Sequence, residues 1–476
     1  MVFSIIGKTL ITEGLLLLLP MIAGIAYSEN NLIAFLVPSL IALAIGVPLT
    51  LVKNKDRSMY AKEGFVTVAL VWVIMSLIGA LPFVISGEIP NYIDALFETI
   101  SGFTTTGASI LSDVEILSRG IMFWRIFTHW IGGMGVLVFV LALMPGHNSG
   151  IIHVFRAESP GPTVGKLVSK LTRTARILYG IYLTMTLLEM VLLLFGGNSL
   201  YDSLLLSFST AGTGGFGVKN TSAGEYSLYT QMVIAVFMFL FGINFNFYYL
   251  ILIKCVGKAF KMEEVRWYFI IVVASTLMIA VNLLSQTTSF LEALPLAFFQ
   301  VTSISSTTGL SSADFDSWPA FSQAILLFLT MIGACGGSTG GGMKVARLGI
   351  CAKTTAADFR KLIHPRSVTY AKFEGQVVLP AQFMYGFYQC SCLTGFATID
   401  FVGFFGWWIR DVYELHAAGG YQCLQVVSLV IMNPLQRFLL MADRDDVQLL
   451  VVELPVYKSA DIRVHTPLPV QHGIGV

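Results

Sequence analysis

Phe103-Thr-Thr-Thr-Gly107, Phe208-Ser-Thr-Ala-Gly212 and Ser305-Ser-Thr-Thr-Gly309 are three versions of one polar run, the last altered at its first position. Each follows a short apolar segment and precedes a long one. The glycines are 105 (212 − 107) and then 97 (309 − 212) residues apart. A Thr/Gly run repeated at this period in an apolar chain has the composition of a pore lining. Backbone carbonyls replace the water shell of a monovalent cation, threonine adds hydroxyl oxygens, and glycine lets strands stay extended at close quarters. One such run alone would fit a small-residue helix contact. Three, each behind the same kind of segment, favour a repeated pore unit.

The rest of the chain suits that unit. It is 55% hydrophobic and 12% charged, the composition of an integral membrane protein. A net charge of +1 argues against a nucleic-acid partner. The cysteines at 255, 335, 351, 390, 392 and 423 show no regular pairing. The first three fall near helix ends expected in the cytosol, so no disulfide framework is predicted. Lys8 precedes a long apolar run without a convincing cleavage site, which predicts a retained first helix. No nucleophile–base or metal-ligand spacing stands out, so no enzyme is expected.

Stretches near the roughly 20 apolar residues needed to span a bilayer occur at about 9–28, 31–52, 64–87, 119–144, 175–197, 228–254, 268–285 and 321–343. Shorter apolar pieces near 91–103, 199–208 and 289–304 read as re-entrant half-helices. Their C-terminal ends would turn partial negative charge toward a cation. Basic residues cluster in four loops: Lys53 to Lys62, Arg156 to Arg176, Lys254 to Arg266, and Lys344 to Arg366. The alternate loops have almost none, which predicts a multi-pass protein with a cytoplasmic N-terminus. The four basic loops also suit a partner with an acidic face.

The predicted architecture is all-α. An N-terminal helix pair (1–53) precedes helix–half-helix–filter–helix units at 64–145, 175–255 and 268–345, arranged pseudo-fourfold around a cation pore. Residues 378–476 occupy the position of a fourth. The expected ion-binding residues are Thr104, Thr105, Thr106 and Gly107; Ser209, Thr210, Ala211 and Gly212; and Ser306, Thr307, Thr308 and Gly309. Gly336-Gly337-Ser338-Thr339-Gly340-Gly341-Gly342 resembles a phosphate loop but lacks Lys followed by Ser/Thr and follows a membrane helix, so no nucleotide site is expected there. It should instead break the helix, which at membrane depth is tolerated only beside a cavity or inside protein.

ETISGFTTTGAS (98–109), RIFTHWIGGMGVLV (125–138), SFSTAGTGGFG (207–217), SSTTGLSSADFDSWP (305–319), GACGGSTGGGMKVAR (333–347) and KLIHPRSV (361–368) together resemble the membrane subunit of the bacterial Trk-type potassium uptake system, in the Trk/Ktr/HKT superfamily. The resemblance covers residues 1–376, and the extra N-terminal helix pair looks like the Trk branch. It implies K⁺ uptake or symport across the bacterial inner membrane, with K⁺ as the transported ion and no organic cofactor. It also implies a homodimer in membrane lipid, a pore in each protomer, and a cytosolic nucleotide-binding ring that controls the gate. It makes 336–342 the gate loop, with Lys344 and Arg347 at the inner mouth linking to the ring or the loop.

Beyond Gln376 the motifs stop. The tail carries three of the seven histidines, three of the six cysteines and the run Asp443-Arg444-Asp445-Asp446, which is costly in lipid. An altered reading frame or a diverged end would both produce this change. Ala418-Gly419-Gly420 is the nearest candidate for a fourth strand. Without a fourth strand the chain would be a non-conducting or Na⁺-permeable scaffold for the ring. Elsewhere, Arg125, His129 and Glu98 read as structural pairing inside the bundle. Asn244 and Asn246 fit either a vestibule lining or an interhelical bond. Glu263 and Glu264, between Lys261 and Arg266, read as a solvated face.

Overall fold

The computed structural model describes residues 2–29, 31–51, 61–135, 171–364, 372–374 and 376–377. The expected fourth unit, its strand at Ala418–Gly420 and most of the basic residues in the first two loop clusters lie outside them.

The described chain is helical apart from one short antiparallel hairpin, Lys372–Phe373 against Gln376–Val377. Among the described residues, five helices are long and apolar enough to cross a membrane. They are Val2–Ala26, which breaks at Leu17, Leu32–Leu51, Val66–Ser86, Ala175–Phe195 and Glu263–Ser285. The first two lie against each other through small residues. Ser39 Oγ donates to the Gly14 carbonyl at 2.7 Å, and a Cβ on Gly7 would sit 2.7 Å from the Gly46 carbonyl. Close backbone approach is the usual basis of helix pairing in lipid, where apolar burial offers little drive.

Three short helices occupy the predicted half-helix positions: Tyr92–Phe103, Leu200–Gly212 and Phe290–Ser305. Two begin with side-chain caps, Asn91 accepting from Ile93 N and Ser199 from Asp202 N. We call the side where they begin the outer side, and the side of the basic clusters the inner side. The closing helix of the first unit, Arg119–Gly133, also starts there. Glu29 accepts from Arg119 N and Gly120 N, and Glu88 from Ser118 N, so carboxylates meet its positive end.

Two further predicted spans are sharply interrupted. Residues 228–254 form Leu228–Phe241 and Phe245–Leu252, bent by 88°. Residues 321–343 form a helix only over Ala320–Met331, and the chain re-enters a helix at Val345–Ile363. The two breaks face each other and pair. Cys335 N donates to Gly242 O at 3.0 Å, Phe245 N to Gly337 O at 2.9 Å, and Thr339 Oγ1 to Phe241 O at 3.3 Å. Backbone released from one helix thus satisfies backbone released from the other, as burial away from water requires.

Candidate cation pathway

All three half-helices end in the same way. In the first, Thr105 N donates to Gly102 O and Thr106 N to Ser101 O. In the second, Thr213 N donates to Thr210 O and Gly214 N to Ser209 O. In the third, Thr307 N donates to Ile304 O and Thr308 N to Ser303 O. Each is a Schellman motif, whose turning residue must be left-handed. Glycine normally fills that place, yet here it is threonine, with φ of +54° at Thr105, +50° at Thr213 and +61° at Thr307. For a β-branched residue this is an outlier, costing of order 1–3 kcal/mol each. Two residues on, φ is positive again at Gly107, Gly215 and Gly309. Alternating the sign of φ turns successive peptide groups so that carbonyls which would point to both sides of a strand turn toward one.

This pattern corrects the second run. Ser209, Thr210 and Ala211 are the last turn of the Leu200–Gly212 helix, not a strand. The equivalent segments are Thr104–Gly107, Gly212–Gly215 and Ser306–Gly309, so Gly215, not Gly212, matches Gly107 and Gly309. The spacings become 108 (215 − 107) and 94 (309 − 215) residues. The missed residues are Thr213, Gly214 and Gly215. A signal for them is present in the chain: Ser101-x3-Thr105-x-Gly107, Ser209-x3-Thr213-x-Gly215 and Ser303-x3-Thr307-x-Gly309 share one spacing.

The three strands lie side by side. A Cβ on Gly107 would overlap the Gly214 carbonyl oxygen, and one on Gly215 would overlap that of Thr308. Each glycine therefore makes room for the carbonyl just before the matching glycine of the next strand. The loops beyond are joined in the same order. Asn220 Nδ2 donates to Asp113 Oδ1 at 2.7 Å, and Ala223 N to Ser311 O at 2.8 Å. Asn220 holds the Asp113 carboxyl below its ordinary range, and Lys219, 2.9 Å from Glu225, does the same for that carboxyl; Asp113, Glu115, Asp314 and Asp316 leave these outer loops net acidic.

The strands differ in side chains. Thr104 and Thr106 hydroxyls pair at 2.8 Å across the first turn, and Ser306 and Thr308 at 2.6 Å across the third. The second has glycine at both places, and His129 fills the space. A Cβ on Gly212 would strike the His129 carbonyl, and one on Gly214 its ring. That ring stacks on Phe216, with centroids 4.0 Å apart. The Arg125 guanidinium lies 3.6 Å from the centroid of the Phe216 ring and bonds Glu98 at 2.6 Å, with both partners buried. Glu98 also accepts from Ser109 Oγ and Ile110 N. The structural pairing expected of Arg125 and Glu98 is present, and it binds the exits of the first two strands together.

Below the third strand lies the loop between Met331 and Val345. Gly341 N donates to Thr307 Oγ1 at 2.6 Å, and a Cβ on Gly340 would come 2.7 Å from the Ser306 carbonyl. Lys344 donates to the Gly340 and Gly341 carbonyls, closing the loop on itself. Gly337 faces the bent helix, Gly336 N donates to Glu264, Ser338 Oγ bonds Cys335 O at 2.7 Å, and Gly342 is left-handed. Arg347 is half-buried in the following helix, its N–H bonded to Lys344 O. Asn244 caps the helix beyond the bend, accepting from Asn246 N. Glu264 is not solvated; it is buried under this loop.

A family model described as TrkH, cation transport protein, matches residues 31–405, and so runs past residue 376 where the motifs stop. The chain is 31% identical over 405 residues to the Trk system potassium uptake protein TrkH of Halomonas elongata, covering 83% of this chain and 84% of that one. The corresponding protein of Escherichia coli strain K12 is 33% identical over 405 residues, with 82% of each covered. The crystal structure of the potassium transporter TrkH from Vibrio parahaemolyticus superposes with a TM-score of 0.76 at 28% identity, covering 92% of this chain and 98% of that one.

Proposed function

Because the chain belongs to the TrkH family of cation transport proteins, we propose that it takes up K⁺ across the bacterial inner membrane, through a filter that includes Thr104–Gly107, Gly212–Gly215 and Ser306–Gly309. The observation that carries this is the threefold recurrence of a left-handed threonine two residues before a left-handed glycine, on strands that touch. Carbonyls gathered on one side replace the hydration shell of K⁺. The negative ends of three half-helices add to the field, and the acidic outer mouth raises the local cation concentration. Protein reconstituted in liposomes should accumulate rubidium in a manner competed by K⁺ far better than by Na⁺. Absence of uptake by folded protein would leave a non-conducting scaffold as the reading.

The loop at 336–342 acts as the gate on this reading. It lies directly under the third strand, and Lys344 holds its Gly340 and Gly341 carbonyls. Removing Ser338, Thr339 and Gly340 should raise rubidium flux several-fold, since a bond to Phe241 O and the contact under Ser306 go with them. Unchanged flux from a deletion protein that elutes as a single folded species would make the loop a kink without gating role.

The family resemblance also supports a homodimer, an inner-side N-terminus and a cytosolic nucleotide-binding ring as partner. Docking on basic loops is driven by charge, so binding of the ring should weaken several-fold between low and physiological salt. Salt-insensitive capture in a pull-down would place the ring on an apolar surface instead.

A further inference from the structure

The glycine loop has almost no side chains with which to hold itself in place, so its position must be fixed from outside. The bent helix holds Gly337 and Thr339, Thr307 holds Gly341, and one buried carboxylate holds the start of the loop at Gly336. Glu264 stands in the first turn of Glu263–Asn282 and is 5% exposed. Its Oε1 accepts from Gly336 N at 2.6 Å and from Ala346 N at 3.3 Å, and its Oε2 from Asn244 Nδ2 at 3.4 Å. The start of the loop, the helix that follows it and the break in the bent span therefore meet on one side chain. Its two oxygens take three N–H bonds from three different segments. Two of these donors are backbone groups that few other partners reach.

The same residue is tied to the inner surface. Glu264 N donates to Glu374 Oε1 at 3.3 Å, in the hairpin at 372–377. The neighbouring Glu263 accepts from Glu374 N at 3.2 Å and from Lys353 Nζ at 2.7 Å. Lys353 also donates to Lys372 O at 2.9 Å, and Phe373 is buried against Gly349. The hairpin and the loop thus hang on two adjacent residues at the head of one helix, one facing each way.

We propose that Glu264 is the positioning residue that holds the glycine loop beneath the third strand, and that Glu263, Lys353 and Glu374 carry displacement of the hairpin to it. This rests on the reading of the loop as a gate. A partner that pulls on the hairpin shifts Glu264 and thereby removes the bond at Gly336.

Hydrogen–deuterium exchange and rubidium uptake of the full chain in lipid nanodiscs and liposomes test this together. Glu264→Ala should speed amide exchange across residues 333–343 about tenfold or more, because the buried acceptor for Gly336 N is lost, and should raise basal flux. Glu264→Gln, which keeps one acceptor oxygen, should fall between. Lys353→Ala, far from strand and loop, should move both readouts the same way to a smaller extent, and it carries the test if Glu264→Ala fails to fold. Unaltered loop exchange in the Glu264 and Lys353 variants overturns the proposal. Faster exchange with unaltered flux upholds the positioning role and overturns the gate reading instead.

Discussion

Replacing Gly215 with alanine is expected to leave an inserted, folded protein that discriminates poorly between K⁺ and Na⁺, its selectivity ratio lowered by at least about tenfold, or about 1.4 kcal/mol. The added methyl would overlap the Thr308 carbonyl oxygen, and the left-handed φ of +84° would strain any residue but glycine. Displacing one carbonyl spoils the match to an ion whose lost water must be replaced oxygen by oxygen. Gly107→Ala should behave alike, through the Gly214 carbonyl. Gly212→Ala should not. Its methyl would press on the His129 carbonyl and Cβ inside a helix contact, so yield should fall and the surviving protein should remain selective. Rubidium uptake with Na⁺ competition, normalised to the monodisperse fraction, separates the two. Loss of selectivity in Gly212→Ala with none in Gly215→Ala would restore the register read from the sequence.

The other large effect is on stability. Removing either member of the Glu98–Arg125 pair strands a buried charge, which costs about 3–5 kcal/mol. The loss should be worse at Glu98, whose oxygens also hold Ser109 and Ile110 where the chain leaves the first strand. Either single alanine variant should lower the melting temperature in detergent by several degrees or prevent recovery. Replacing both residues with apolar ones of similar size should recover much of the loss, because two desolvated charges leave together. Single variants that melt like the parent would mean the pair is solvated.

The half-helices and most spans were legible because hydrophobic length alone identifies them. The register of the second strand was not. Phe208-Ser-Thr-Ala-Gly212 imitates the first run, and the true strand has glycine where the others carry hydroxyls, since His129 takes that space. That substitution is visible only when Arg119–Gly133 is packed against the second half-helix. The bend at 242–244 was hidden for a related reason. Asn244 stands out as a polar residue in an apolar span, but neither it nor Gly242 signals a bend until another broken helix supplies the missing backbone partners. Glu264 sits in a charged stretch of sequence, and nothing local distinguishes it from the half-exposed Glu263 one residue away. Pairing expected of Arg125 was readable because a charge inside an apolar run rarely lacks a counterpart.

The bond from Gly341 N to Thr307 Oγ1 joins two equilibria that are usually treated apart. On the proposed reading, one is occupancy of the third strand by a cation and the other is departure of the loop. A hydroxyl shared between them cannot report on one alone. If an ion favours a particular setting of Thr307, it favours the loop position compatible with that setting by the same free energy, since linkage between two binding events is reciprocal. The concentration of K⁺ outside the cell then becomes an input to an opening that faces inward. Starvation for the ion and signals from the cytosol would act on the same threonine from opposite sides.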